Sequence, residues 1–502
     1  MAEVLSQICS LSSQLHHSDE IADQDYDNQT HDLLAQLRQI IPTASDIRSG
    51  GFYFLDNLNP SLHSLPYLLI WGYHVCSIRS ETGNPFPEDV RPGGKLWSKA
   101  VHFLTGFDPV QVRYASSEWR ELVELVGQSA LAVSKPFLAI QPIREAIFRL
   151  DSSCSVFTST HLLLVKLCLH ARAYKHALPI LNKPICHFPA GSEQAQLENQ
   201  QPTLRARHES SAQILRNSSG LSAKITYREH LEYFLNGAMI YMVLKQWKKA
   251  LHFLTIVISS PVINSVSMVM VEAYKKWILA SLLENGRLVQ TPAVISSHTI
   301  KIYRSITKPY ITLAGAFESG DFSRLGAEVD IARPIWHMDG NTGLILQVVS
   351  AFEKFRYHKL GGTFAALTVS DAMERAPSCS VHLTNIEQLI ATLIMSKALN
   401  ATLSHPNDLT KSTMLRFSGL GSRASVSKDS VTQSQLVEGG WSLASLMTHV
   451  EGGDYALGMS KEYIENLQKN QKQTGGPLKD SKNVGSFSGG FDIEEDIMGG
   501  LC

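Results

Sequence analysis

The sequence is poor in cysteine, and the cysteines it has are scattered. Seven occur among 502 residues, and none belongs to a Cys-x-x-Cys pair. A disulfide framework is typical of small secreted domains, whereas scattered thiols are typical of a reducing compartment. We therefore expect free thiols in a protein of the nucleus and cytoplasm.

A secretion signal and a membrane-spanning segment are also missing. Residues 1–20 contain neither a basic start nor a continuous apolar stretch. No later segment offers the roughly 20 consecutive apolar residues that a membrane helix needs. The sequence thus predicts a protein without a membrane partner.

There is no excess of charge of either sign. The 45 basic and 46 acidic residues give a formal net charge of -1. Proteins that bind nucleic acid through its phosphates usually have a basic face and a high isoelectric point. The balance therefore argues against direct nucleic-acid binding, although a local basic patch remains compatible with it.

Common catalytic motifs are absent as well. No two histidines are two positions apart, no His-Glu-x-x-His or Gly-x-Ser-x-Gly sequence exists, and Gly93-Gly94-Lys95 is followed by Leu96. These absences argue against the known zinc-protease, serine-hydrolase and P-loop designs. We predict no catalytic residue, no metal and no cofactor.

Isolated candidates for chemistry have simpler explanations. His170 and His176 are six residues apart around a turn between two predicted helices, and His161 lies one helix earlier. No Cys or carboxylate stands at ligand spacing, so turn or solvent roles are favoured over a metal site. Cys168 is expected to be a packed core thiol and not a nucleophile. Neither set changes the prediction of a protein without catalytic groups.

A repeated two-helix pattern begins near Ser116. Segments 135–140, 173–178 and 246–251 align so that each has an alanine followed by Ile or Leu, at Ala139, Ala177 and Ala250. Three positions earlier stand Pro136, Tyr174 and Trp247. The first step is 38 residues, and the second is 35 once segment 189–226 is removed, close to the ~34 of a tetratricopeptide pair.

These positions have a structural interpretation. We expect the alanine to let the second helix lie close to the first, and the aromatic residue to pack beside the turn. The alternatives are three unrelated hairpins whose patterns coincide, or aromatic side chains that stack on a ligand.

The pattern divides the chain into successive regions. Residues 1–115 are read as an N-terminal helical region with loops, and 116–305 as the repeats. Segment 189–226 is predicted to be a disordered insert, because it is rich in Gln and Ser and contains no aromatic residue and no valine. Residues 306–417 are assigned to the helical end and a winged helix, 418–440 to a flexible Ser/Gly linker, 441–470 to a helix, and 471–502 to a disordered tail with an acidic end.

The winged helix is predicted from the order of its parts. A short β-like segment at 363–369 is followed by two helical segments, at 371–376 and 383–397, and by two strand-like segments, at 398–404 and 412–417. The second helix is strongly apolar, and its only basic residue is Lys397, so a protein neighbour is favoured over DNA.

Two sets of residues are predicted to contact other proteins. An edge strand is expected to pair with a strand of a neighbouring subunit, through Met414, Leu415, Arg416 and Phe417. An amphipathic C-terminal helix is expected to dock into a shared helical bundle, through Leu443, Leu446, Met447, Val450, Tyr463 and Leu467.

Helical repeats that end in a winged helix resemble the PCI family, which is shared by the COP-9 signalosome, the proteasome lid and a translation initiation factor. Five segments are similar to the third-subunit branch of the signalosome: 237–262, 272–292, 308–317, 338–344 and 367–376. The resemblance extends from 115 to 417 and is strongest from 230 to 376.

The resemblance implies a mainly α protein, a right-handed superhelix of tetratricopeptide-like hairpins followed by a PCI winged-helix domain and a C-terminal helix. It implies a non-catalytic scaffold that supports cullin deneddylation, with the catalytic zinc on a different subunit. The implied partners are other signalosome subunits and, indirectly, cullin-RING ubiquitin ligases. The alternatives are a scaffold of another PCI complex, such as the proteasome lid, and a winged-helix protein that binds nucleic acid.

Overall fold

The computed structural model describes residues 2–16, 23–43, 45–186, 220–261, 266–375, 383–395, 399–405 and 413–417, together with some positions between 433 and 450. The chain divides into two compact units, Met1–Val426 and Ser427–Cys502. The first unit is mainly helical and has a small three-stranded sheet near its end.

Helices α1 to α10 form the first part of this unit: Ala2–His16, Asp23–Thr43, Ser45–Asn57, Ser64–Thr82, Lys95–Gly106, Pro109–Val112, Ser116–Ala132, Phe137–Leu150, Ser159–His170 and Tyr174–Leu181. Helices α11 to α18 follow: Tyr227–Val243, Trp247–Ser259, Met268–Asn285, Ser297–Ile306, Lys308–Ser319, Phe322–Ile331, Arg333–Met338 and Thr342–Thr363. The last elements are β1 (Ala366–Thr368), α19 (Val369–Arg375), α20 (Leu383–Met395), β2 (Ala401–Ser404) and β3 (Met414–Phe417).

Local sequence explains where several of these helices begin and end. Five helices begin at a residue whose side-chain oxygen accepts a hydrogen bond from a first-turn amide. These capping residues are Asp108, Thr226, Ser267, Ser296 and Asp321. Thr226 and Glu229 form a reciprocal capping box at α11. Glycines with positive φ end three helices, at Gly83, Gly286 and Gly320.

The three predicted hairpins are α7–α8, α9–α10 and α11–α12, and their turns share one backbone geometry. In each turn a residue other than glycine has a positive φ: 58° at Ser134, 54° at Arg172 and 57° at Lys245. The next amide donates to the carbonyl five residues back, at 2.9 Å in all three turns. This is a Schellman ending, and it falls five residues before Ala139, Ala177 and Ala250. The shared phase predicted from the sequence is therefore confirmed.

The repeat positions pack as expected. All three alanines are completely buried, at the start of α8, α10 and α12. Tyr174 and Trp247 are half-buried and pack against the core beside their turns. Helices α11 and α12 also pack closely against each other at Gly237, where an added Cβ would lie 2.8 Å from Phe253 Cε1.

The predicted disordered insert extends too far toward the C-terminus. Leu221 and Ser222 are buried, and the backbone amide of Ser159 donates to the Ser222 hydroxyl at 3.0 Å. Thr226 already caps α11. The prediction for residues 220–226 was wrong because the average composition of the segment obscured Leu221, which anchors its end in the core. Residues 189–219 lie outside the described part of the chain.

One hydrophobic core extends from Ile8 in α1 to Phe352 in α18. It shows no break at the predicted boundaries near 115 and 305, because helices on both sides of each boundary contribute to it. A second, smaller core begins at Tyr357 and continues to Leu415 and Phe417. The cores thus divide within α18, which contributes side chains to both.

Candidate assembly surface

The end of the first unit is a winged helix, as the sequence predicts. Strand β1 is followed by α19 and α20 and then by the hairpin of β2 and β3. The strand order in the sheet is β1-β3-β2, and both pairings are antiparallel. A strand, two helices and a hairpin with this order form the winged-helix fold, and α18 precedes them.

A row of leucines holds the sheet against its helices. Leu367 and Leu403 stand opposite Leu415, one on each side. Leu415 is completely buried and shares its core with Ile390 of α20. Removing apolar surface from water is the main stabilising contribution in such a small module. The alternation of buried and exposed positions along β3 follows from the two-residue period of a strand.

The structure corrects the predicted edge strand. Strand β3, which contains Met414, Leu415, Arg416 and Phe417, is the middle strand of the sheet and pairs with a strand on each side. The central position of β3 could not be predicted from local pattern, because β1 is only three residues long and two helices and β2 separate it from β3 in the chain. The backbone of β3 therefore has no open edge to offer a partner.

One outer edge of the sheet belongs to β1. The amide of Phe417 donates to the carbonyl of Ala365, and that of Val369 to the carbonyl of Thr413, both at 2.9 Å. In an antiparallel pair, residues that bond across the pair alternate with residues whose N–H and C=O point away. Ala366 therefore directs its backbone groups away from β3.

The other outer edge belongs to β2. Since Leu415 and Phe417 bond toward β1 by this alternation, Arg416 and Met414 bond toward β2, where they face Thr402 and Ser404. Leu403 then directs its N–H and C=O outward. Neither outer edge was predicted from the sequence.

The described side chains on the exposed face of α20 are uncharged. Its described side chains with high exposure are Gln388, Thr392 and Met395. Reading of DNA bases and phosphates depends on Arg, Lys, Asn or Gln at such a face. Gln388 alone fits this requirement among the three. Lys397 lies outside the described residues.

The described positions of the second unit are helical and carry exposed apolar side chains. Six are between 47% and 74% exposed: Leu436, Val437, Leu443, Leu446, Met447 and Val450. At a helical period five of them fall within an arc of about 100°, and Val437 lies outside that arc. Residues 433–440 were predicted to be linker, but each described position there is already helical, and Leu436 belongs to the stripe. Tyr463 and Leu467 lie outside the described residues.

The histidines and cysteine considered for chemistry have structural surroundings. Cys168 is completely buried, and burial raises the pKa of its thiol to about 12. His161 is buried in α9, with Nδ1 2.6 Å from Thr158 Oγ1. His176 Nδ1 lies 3.5 Å from an Arg144 Nη1. The ranges that the structure describes contain no group of three His, Cys, Asp or Glu residues able to hold a metal ion.

None of the described helices is long and apolar enough to cross a membrane.

The fold and its exposed surfaces define a helical-repeat protein that ends in a winged helix, the architecture of PCI assembly subunits. The family model for the N-terminal helical repeats of COP9 signalosome complex subunit 3 matches residues 28–299. The chain belongs to the COP9 signalosome subunit 3 family.

Relatives named COP9 signalosome complex subunit 3 occur in fungi, plants and animals. The chain is 42% identical over 503 residues to COP9 signalosome complex subunit 3 of Emericella nidulans, with 99% of both chains covered. It is 27% identical over 342 residues to the Arabidopsis thaliana protein, with 68% of each chain covered. It is 24% identical over 398 residues to the Drosophila melanogaster protein, with 77% of this chain and 83% of that one covered.

Proposed function

We propose that this chain is a scaffold subunit of the COP9 signalosome, which supports cullin deneddylation and thereby regulates cullin-RING ubiquitin ligases. The observation that carries the proposal is the 42% identity to a protein of that name over 99% of both chains. The partners in this proposal are the other signalosome subunits and, indirectly, the cullin-RING ligases. The proposal places the chain in the nucleus and cytoplasm.

The chain contributes shape and contact surface in this proposal, and catalysis takes place on another subunit. The catalytic motifs that zinc proteases require are missing from the sequence. The thiol of the buried Cys168 has a raised pKa, which disfavours the thiolate that a nucleophile needs. Neither observation supports a catalytic role for the residues considered.

Two surfaces supply the contacts. The outer edge of β1 or of β2 accepts a strand from the winged helix of a neighbouring subunit through backbone hydrogen bonds. The stripe of exposed apolar residues between Leu436 and Val450 packs into a bundle formed with other subunits, because burial of that stripe removes apolar surface from water.

A scaffold role in the proteasome lid is the second candidate within the PCI class, and the subunit 3 family match favours the signalosome over it. Nucleic-acid binding is favoured less, because no cation is found among the described side chains on the exposed face of α20.

Reconstitution of the complex tests the proposal. The chain is co-expressed with the other signalosome subunits, and assembly and deneddylation of a modified cullin are measured with and without it. We expect the chain to co-purify with the complex and to have no deneddylase activity by itself. Hydrolysis of the cullin conjugate by the chain alone, or failure to co-purify with signalosome subunits, would refute the proposal.

The contribution of the β1 edge can be measured by substitution at Ala366, whose side chain is exposed. Ala366→Pro removes an outward N–H while leaving the pairing of β1 with β3 in place. Ala366→Val keeps the N–H and is the matched control. If β1 is the docking edge, the proline variant loses its neighbour and the valine variant does not. Equal yields from both variants would assign docking to β2.

The C-terminal stripe is tested by the pair Leu446→Asp and Val450→Asp, with Gln433→Asp as the control in the same unit. A charge placed in an apolar contact loses its hydration and opposes docking. We expect the double variant to reduce incorporation into the complex strongly and the control to leave it unchanged. Normal incorporation of the double variant would show that the stripe is not a docking surface.

A further inference from the structure

The three Schellman turns of the repeats carry a concentration of positive charge. Residues 130–140, 168–178 and 241–251 contain no Asp or Glu. Their exposed cations are Lys135, Arg172, Lys175, Lys245 and Lys248, and we call this set the basic turn edge. The chain as a whole has balanced charge, so this local excess is a specific feature of the turns.

These cations are available to a partner. Within the described part of the chain none of the five forms an ion pair, whereas other cations of the same unit do, such as Lys166 with Glu232 and Lys275 with Asp339. Each turn also holds the start of a helix, namely α8, α10 and α12, and no side chain caps any of the three. The ends of α7, α9 and α11 lie in the same turns, and their partial negative charge offsets the partial positive charge of these helix starts, so the excess positive charge comes from the side chains.

The first two turns lie together on the surface of the repeat array. Turn residues of the first two hairpins line a common surface cavity of about 540 Å³, formed by Ser134–Leu138, His170 and Ala171. The Phe137 and His176 rings are 5.5 Å apart, edge to face. Helix α10 packs in turn on α11, with Tyr241 and Lys249 both donating to Asn182 Oδ1 at 3.0 Å. Tyr241 and Lys249 flank the third turn, and Asn182 follows the last residue of α10, so the third turn lies toward the opposite end of α10 from the second turn. The cations of the third turn extend the surface in that direction.

Apolar groups are interspersed with the charges. Phe137 is 55% exposed, Leu138 48% and Val243 53%. Phe137 and Leu138 form part of the cavity wall, next to Lys135. A cavity of this kind accommodates one apolar side chain, while the cations around it attract carboxylates. Leu138 and Val243 offer nothing to a phosphate backbone, which needs hydrogen-bond donors and cations along its whole length.

We propose that the basic turn edge binds an acidic peptide segment of a partner protein, with one apolar side chain of that segment seated in the cavity between Phe137 and His170. The carboxylates of the segment face Lys135, Arg172 and Lys175, and a longer segment continues to Lys245 and Lys248. None of its residues belongs to the winged helix or to the C-terminal stripe, so a variant of this surface tests the peptide site without changing a residue of either.

The test uses the full-length chain and a fluorescent peptide in which Asp and Glu surround a central Phe-Ile pair, with binding measured by fluorescence anisotropy. A peptide with Asn and Gln in place of the acids is the ligand control. We expect the acidic peptide to bind more tightly than the neutral one, and its affinity to fall when salt is raised from about 0.05 M to about 0.3 M, because exposed charge pairs are screened.

Protein variants locate the site. An exposed ion pair contributes roughly twofold to threefold in affinity, so the triple variant Lys135→Gln, Arg172→Gln and Lys175→Gln should bind about tenfold more weakly. Leu138→Ser should weaken binding as well, because it removes part of the cavity wall. The matched control is Lys301→Gln, Lys308→Gln and Arg324→Gln, which removes three exposed cations from other helices and should leave the affinity unchanged.

Several results would overturn the proposal. Equal loss of affinity in the matched control would mean a diffuse charge effect. Equal binding of the neutral peptide, or no binding of the acidic one, would remove the role of the cations. Displacement of the peptide by a DNA duplex at a lower concentration than by unlabelled acidic peptide would assign the edge to nucleic acid.

Discussion

The ring of Phe417, in the central strand β3, lies directly against Gly361 near the end of α18. A Cβ built on Gly361 would be 2.8 Å from Phe417 Cδ1, whereas one on the neighbouring Gly362 would meet nothing within 4 Å. The contact joins the last helix before the winged helix to the middle of its sheet. Two adjacent glycines of the same helix thus have different structural roles.

Gly361→Ala should loosen the winged helix, and Gly362→Ala should not. Overpacking costs about 1–3 kcal/mol, which exceeds the gain of up to ~1 kcal/mol from a better helix former. Hydrogen exchange of the β1, β2 and β3 amides measures the effect locally. We expect faster exchange in the first variant and equal or slower exchange in the second. Unchanged exchange in Gly361→Ala would mean that Phe417 can move aside at no cost.

Ala250→Leu should destabilise the repeats. Ala250 is completely buried where α12 lies against its neighbours, so the added carbons must displace packed atoms at a cost of about 1–3 kcal/mol. Ala132→Leu, at an exposed position of α7, is the matched control and should change the free energy of unfolding by less than about 0.5 kcal/mol. The urea midpoint followed by tryptophan fluorescence distinguishes the two. A similar midpoint for both would contradict the role assigned to the alanine.

Ser134→Gly should stabilise the first hairpin. Ser134 has φ 58°, a left-handed conformation that costs a residue with a Cβ about 1–2 kcal/mol. Glycine relieves this cost, but its greater chain entropy in the unfolded state offsets part of the relief. The free energy of unfolding should therefore rise by about 0.5 kcal/mol. Gln128→Gly, in the exposed middle of α7, should instead lose about 1 kcal/mol. The urea midpoints of the two variants should therefore move in opposite directions.

His161 should make the stability of the repeats depend on pH. Burial, the largest cause, lowers the pKa of His161 to about 4 from 6.5, although Asp151 acts in the opposite direction. Between these values the unfolded chain binds a proton that the folded chain does not, so stability falls as pH decreases. From pH 7 to pH 5 this histidine accounts for a loss of about 2 kcal/mol.

His161→Gln removes this titration. The substitution also changes packing, so the measured quantity is the change in the urea midpoint between pH 7 and pH 5 in each protein. We expect a smaller change in the variant, with the remainder due to groups such as His230, whose pKa burial also lowers. The same change in both proteins would mean that His161 is not protonated on unfolding.

The repeats and the winged helix could be predicted from the sequence, because both depend on the spacing of residues that are close together in the chain. Ala139, Ala177 and Ala250 are phased by the helical hairpin itself, and α20 and β2 follow each other directly in the chain. Which strand lies in the middle of the sheet is a different kind of property. It depends on the pairing of β1 with β3 across two helices, and that pairing leaves no local pattern.

Average composition limited the other predictions. Leu221 is one apolar residue in a polar segment, yet its complete burial orders the approach to α11. Leu436 lies in a Ser/Gly-rich stretch, seven residues before Leu443, and belongs to the same helical stripe. The basic turn edge was also not recognised, because its cations are far apart in sequence and only the packing of the hairpins brings the first two turns together.

Helix α18 carries Phe352 in the larger core and Tyr357 in the smaller one, without a loop between them. Phe355 on the same helix covers Gly286 at the end of α13, where an added Cβ would lie 2.6 Å from the ring. The winged helix is therefore joined to the repeats by a continuous helix and not by a flexible loop. The direction in which its strand edges point is set by the repeat array, so a change in the curvature of that array would re-aim any neighbour that binds there.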